Sequence, residues 1–208
     1  VTAAQPSIAI RPVASPSEED AARARWYRFL ARVFAEAPDA ALLVRIGADA
    51  ASPPDPTPLG RAWAALAAAS AGVSADAVAA EHDGLFVGVG RAPIVLHASW
   101  WLAGFLNERP LAELRAFLAA AGLARREDAG RTEDHLASLC EVMALLVESD
   151  DPALSDRQRE LFERFLSPWH GRLAQAVDAC EAARWYRPAA ALATTFLEVE
   201  RQAFDFES

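Results

Sequence analysis

Large apolar residues recur along this chain at the three- and four-residue spacing of helices, and almost nowhere with the alternation of strands. The first sustained pattern opens at Ser17, where Ser17 and Asp20 form a cap-like start. Trp26, Phe29, Leu30, Val33 and Phe34 then follow at i, i+3, i+4, i+7 and i+8, with Arg25, Arg28 and Arg32 opposite them as a solvated face. Four prolines between Ser52 and Pro58 are too many for a helix interior or a central strand and predict a connection. A weaker helix is expected from about Leu59 to Ala71, and Ser74 caps another that runs to about Val87, where glycines and Pro93 break it.

Pro110 in a first turn and Gly122 past the end bracket a helix carrying Leu111, Leu114, Phe117 and Leu118. Thr132 starts the next, whose stripe of Leu136, Leu139, Cys140, Met143 and Val147 is widened by Val142, Leu145 and Leu146, the breadth of a central, mostly buried helix. Ser155 opens a helix with Leu161, Phe162, Phe165 and Leu166; Ser167-Pro168 restarts another with Trp169, Leu173, Val177 and Cys180. Pro188 begins the last, with Leu192, Phe196 and Val199 on one face. Only Ile94 to Leu96 is ambiguous, and no fixed-length repeat is present. The expected fold is all-α, a single-domain helical bundle over 17–208, preceded by a flexible arm over 1–16 that carries three prolines and no periodicity.

Composition narrows the function. With 208 residues and 53% of them hydrophobic, one core is affordable without help from disulfides. No apolar run approaches the roughly 20 residues of a membrane span, and the first residues lack the apolar block of a secretory signal, so a cytoplasmic protein without stable membrane association is expected. A net charge of −9 disfavours nucleic acid and favours a cationic peptide, although the same charge also serves solubility. All 20 basic residues are arginine, which excludes a phosphate-binding Walker lysine and a Schiff-base amine.

Gly84, Gly88 and Gly90 match neither a dinucleotide fingerprint nor a P-loop. There is no Glu-x-x-His pair, His82, His97, His135 and His170 are scattered, and Cys140 and Cys180 read as buried free thiols. No catalytic residue, metal or cofactor is therefore assigned.

Two segments stand out. Glu133-Asp134-His135 falls at the expected first turn of the most apolar helix, where the dipole favours an acid and disfavours a charged histidine. It fits a local cap, with Asp134 capping and His135 neutral, as well as a site. His82 to Trp101 gathers Leu85, Phe86, Pro93, Trp100 and Trp101 around turn residues, which fits either core packing or a peptide groove.

Taken in order, these segments resemble the TorD/DmsD/NarJ family of molybdoenzyme maturation chaperones. Leu85-Phe86-Val87-Gly88 is similar to the family's Leu-Phe-x-Gly element, Ser99-Trp100-Trp101-Leu102 follows at the usual interval, and Glu133-Asp134-His135 matches the end of Glu-Pro-x-Asp-His. Phe165-Leu166-Ser167-Pro168-Trp169 resembles His-Leu-x-Pro-Trp, and Trp185-Tyr186-Arg187 resembles Phe-Tyr-Arg. The likeness runs from about residue 20 to 204. It departs at Arg131-Thr132, where the motif has Glu-Pro, and at His82 and His97, where some members carry tryptophan.

The resemblance implies a non-enzymatic helical bundle that binds the N-terminal, twin-arginine signal-like segment of a molybdenum redox enzyme precursor and holds it for cofactor insertion. It places peptide contacts at Leu85, Phe86, His97, Trp101, Asp134 and His135. Leu85, Phe86 and Trp101 would line an apolar groove, Asp134 would pair with an arginine, and His135 would orient Asp134 or accept a hydrogen bond. The oligomeric state stays open between monomer and homo-oligomer. A GTP-binding hydrolase and a structural accessory subunit of a redox complex are the alternative readings.

Overall fold

The structure, a computed structural model, describes residues 17–88, 92–126 and 130–206; the expected arm over 1–16 lies outside them. Helices account for the fold, and among the described residues there is no strand, only an isolated antiparallel bridge between His97 and His135.

Helix α1 (Glu18–Ala35) starts as its sequence dictates, with the Ser17 hydroxyl accepting from the Asp20 N–H and three acids in the first turn. Asp39 caps α2 (Ala40–Gly47), and Thr57 caps α3 (Pro58–Ser70). The last proline of the predicted connection is thus the first residue of α3, where its missing N–H costs nothing. Ser74 caps α4 (Ala75–His82), which continues into a π turn at Asp83–Val87.

The short α5 (Ala98–Ala103) precedes α6 (Arg109–Ala120), which begins with Pro110 in its first turn. Then come α7 (Leu136–Val147), α8 (Pro152–Ser155), α9 (Arg157–Phe165), α10 (His170–Asp178) and α11 (Tyr186–Phe206). No single helix among the described residues is long and apolar enough to cross a membrane.

Packing centres on α1 against α7, with α11 laid on α3 and α10. Tyr27, Leu30, Val33 and Phe34 face Leu139, Cys140, Met143 and Leu146 in one continuous core. The central helix is the one expected, although it begins at Leu136, four residues after Thr132, and its Leu145 is exposed. Ser155 ends α8 where a helix start is expected; Asp151 caps that turn and Pro152 opens it. Val199 also points outward, because the buried stripe of α11 runs through Ala193, Leu197, Glu200 and Phe204.

Glu200 is on that stripe for a polar reason. Its carboxylate accepts from Arg23 Nε and Nη2 at 2.9 Å each and from the Tyr27 hydroxyl at 2.9 Å. Arg23 Nη2 also donates to Gln158 Oε1 at 3.1 Å, and Gln158 Nε2 donates to the Leu146 carbonyl. One fully partnered network thereby joins α1, α11, α9 and α7. Burial opposes the Arg23 charge, but the bonds to Glu200 outweigh it and raise the guanidinium pKa.

A second carboxylate fixes the other end of α11. Glu81 on α4 accepts from the backbone N–H groups of Arg184, Trp185 and Tyr186 at 2.8, 3.0 and 2.8 Å, satisfying donors that the helix start leaves unpaired. Trp185 Nε1 donates to Ser70 Oγ on α3, and the Tyr186 hydroxyl donates to the Val33 carbonyl on α1.

Replacing Glu200→Ala strands the Arg23 guanidinium and the Tyr27 hydroxyl together, at a cost of roughly 3 kcal/mol. Chemical denaturation is expected to show a lower midpoint at unchanged slope, with Glu200→Gln falling between that variant and the wild type. A Glu200→Ala midpoint equal to that of the wild type contradicts the network's role.

Candidate functional site

The site is made where the chain after α4 turns back beneath the start of α7. Gly88, at φ +62°, holds a left-handed conformation that side chains disfavour, and its N–H closes the π turn on the Asp83 carbonyl. The returning segment is stapled twice. Ile94 N–H donates to the Leu85 carbonyl at 3.0 Å, and around His97 the Leu136 N–H reaches the Leu96 carbonyl at 2.7 Å while Ala98 N–H reaches the Asp134 carbonyl at 2.9 Å.

Asp134 completes the staple with its side chain. It is 1% exposed, and its Oδ2 accepts from the Ser99 N–H at 3.0 Å and from the Ser99 hydroxyl at 2.5 Å, while Oδ1 accepts from the Thr132 hydroxyl at 2.6 Å. No side chain of its own neighbourhood caps α5, so Asp134 supplies that cap from a distant part of the chain. Burial pushes its carboxyl pKa up, but the bonds from Ser99 and Thr132 outweigh burial and hold it below the usual range.

His135, and not Asp134, caps α7: its Nδ1 accepts from the Ala137 N–H at 3.1 Å. A nitrogen that accepts carries no proton, so the ring is neutral as long as the cap exists. Burial, together with neighbouring His97 and Arg131, brings its pKa down to about 3. The His97 ring stands edge-on to it at 4.9 Å, and burial lowers the His97 pKa as well, against the pull of Asp134.

The departure at Arg131-Thr132 has local consequences. Thr132 offers Asp134 a hydroxyl that proline lacks, and Arg131 turns away to the Ala35 carbonyl and toward Glu141. Glu133 is held by two bonds from Arg115 at 3.0 Å each.

Outside this staple lies an open groove of about 580 Å³. Phe86 and Val87 come from the π turn, Val95 and His97 from the returning segment, Trp100 from α5, and His135 from the start of α7. Phe105 and Leu106 complete it just past Gly104, which ends α5 at φ +85°. Three large apolar side chains stand open to solvent there: Val87 at 59%, Phe105 at 67% and Leu106 at 48% exposure.

Of the six residues singled out from the sequence, Phe86, His97 and His135 line this groove together. Leu85 is fully buried behind it. Trp101 sits half-buried to one side, with Nε1 on the Val95 carbonyl at 2.7 Å and its ring stacked on Trp169 at 6.3 Å. Arg172 covers Trp101 at 5.7 Å, and Asp134 lies beneath the backbone staple.

Val87, Ala92, Val95, Leu96, Trp100, Phe105 and Leu106 are the lining residues that the sequence reading omits. Phe105-Leu106 did carry a signal, two large apolar residues inside the turn-forming stretch from Gly104 to Asn107. Among the described residues, no group of three or more His, Cys, Asp or Glu side chains is placed to hold a metal.

The cap makes the staple acid-sensitive in a defined window. His135 takes a proton near pH 6.5 when unfolded but only near pH 3 when folded, so its stabilisation is complete above pH 6.5 and is lost progressively toward pH 3. His135→Asn keeps a capping oxygen and removes the titrating ring. Its stability is expected to fall less steeply between about pH 6 and 4, by up to about 1.4 kcal/mol per pH unit. Denaturation midpoints that follow the wild-type slope contradict this.

The comparisons with known proteins bear on the same stretch. No curated protein matches the chain. A family model described as nitrate reductase delta subunit matches residues 52–175, well over half of the chain, from the prolines before α3 to the middle of α10. The matched span contains the π turn, the staple, the groove and the Phe165–Trp169 element that supports Trp101. The chain therefore belongs to the nitrate reductase delta subunit family, chaperones of molybdoenzyme maturation of the TorD/NarJ type.

Proposed function

We propose that this protein is a cytoplasmic chaperone that binds the N-terminal, twin-arginine signal-like segment of a molybdenum redox enzyme precursor. It holds that segment until cofactor insertion is complete, releases the precursor for assembly or export, and performs no chemistry itself. The observation that carries the reading is the cluster of Val87, Phe105 and Leu106, exposed together on a groove whose walls are fixed by buried hydrogen bonds. Apolar groups left open on one concave surface are worth little to the free protein and gain when a partner covers them.

The six assigned residues divide in this proposal between contact and support. Phe86, His97 and His135 touch the bound peptide; Leu85, Trp101 and Asp134 hold the walls in register. The net charge of −9 supports a basic leader as the partner, through attraction that salt weakens.

Calorimetric titration of the full chain with a synthetic leader peptide, an arginine pair followed by an apolar stretch, tests the assignment. Changing Phe105→Ser and Leu106→Ser together is expected to weaken binding at least about tenfold, since each buried side chain of this size contributes roughly 1.5–3 kcal/mol. The melting temperature is expected to hold, because both side chains are exposed in the free protein. A double variant that binds as tightly as the wild type removes the groove from the function.

A further inference from the structure

The groove's polar chemistry is narrower than its residue types suggest. Asp134 is 1% exposed and already takes three bonds from Ser99 and Thr132, so it lies beneath the groove and not on its surface. His135 lines the groove, is 7% exposed, and has its Nδ1 committed to the Ala137 N–H. A neutral imidazole with a lone pair on Nδ1 carries its one proton on Nε2. Among the described residues, no group accepts a hydrogen bond from that Nε2. The backbone cap therefore fixes the tautomer and leaves a directional donor on the groove wall.

We infer that His135 is the specificity-determining residue of the groove. Its Nε2–H donates to a main-chain carbonyl of the docked segment, so the groove selects an apolar stretch with a free carbonyl and does not read arginine side chains. This rests on the peptide-docking reading above and specifies what that site recognises. The selection follows from desolvation. A peptide that covers His135 removes Nε2–H from water, and the loss is made good only by an acceptor in the right place. Arginine and lysine side chains are donors without acceptors, so neither satisfies it.

The test uses two synthetic apolar peptides, one led by an arginine pair and one with glutamines in their place, titrated at moderate salt into the wild type and His135→Asp. Aspartate keeps the capping acceptor for Ala137 but offers the groove no donor. The wild type is expected to bind both peptides within about threefold of each other, and His135→Asp to bind both about tenfold more weakly.

The inference is overturned if glutamines cost the wild type more than about tenfold, or if His135→Asp binds the arginine peptide as well as or better than the wild type. Nitrogen-15 spectra of the wild-type histidine rings test the tautomer without any variant. The proton is expected on Nε2, with that resonance moving when peptide is added; a proton on Nδ1 overturns the inference. If neither peptide binds the wild type, the docking reading falls, and this inference with it.

Discussion

The buried carboxylate of Asp134 ties two parts of the chain together, and the groove exists because of that tie. One oxygen caps α5 through Ser99 and the other takes the Thr132 hydroxyl, while the backbone on either side pairs with Leu96 and Ala98. An ionised group this deeply buried is costly unless it is well hydrogen-bonded, and here three donors converge on it. The consequence is positional. His97, Trp100 and the exit from α5 toward Phe105 are presented as one wall, and His135 is left to cap α7.

The surrounding bundle supplies a stiff frame for this wall. Glu81 holds the start of α11 by three backbone donors, and Glu200 holds its far half to α1 through Arg23 and Tyr27. Between them, Trp185 and Tyr186 bind α3 and α1. Phe86 packs against Tyr186 at 4.8 Å and against Phe34 at 6.2 Å, so the aromatic residue that faces the groove is seated on the main core. Hydrogen-bonded walls around an exposed apolar lining fit the proposed peptide binding, because each wall group held in place beforehand lowers the cost of ordering it on binding.

Much of the bundle was legible in the sequence, because its helices carry strong apolar stripes and recognisable caps. Ser17, Ser74, Pro110 and Gly122 all sit where local chemistry places them. The errors have physical causes. Thr132 is a better cap by residue type than His135, but it is engaged with Asp134, and the histidine takes its place. Helix α5 has six residues, too few to display a period. Ser99 and Asp134 stand 35 residues apart, and no pattern along the chain announces their bond. The order of the short motifs identified the family, while the division of their residues between groove and support emerges only in three dimensions.

The central claim is that the leader peptide lies in the groove beside the Asp134 staple. Backbone hydrogen exchange of the full chain, with and without bound precursor peptide, tests it most directly. The account predicts slowed exchange at the π turn over 83–87, along 94–106 and at the start of α7, with little change elsewhere. Protection confined to another surface, such as the cleft formed by Trp26, Phe29 and Trp63 or the one lined by Leu118, Leu123 and Leu145, would contradict it.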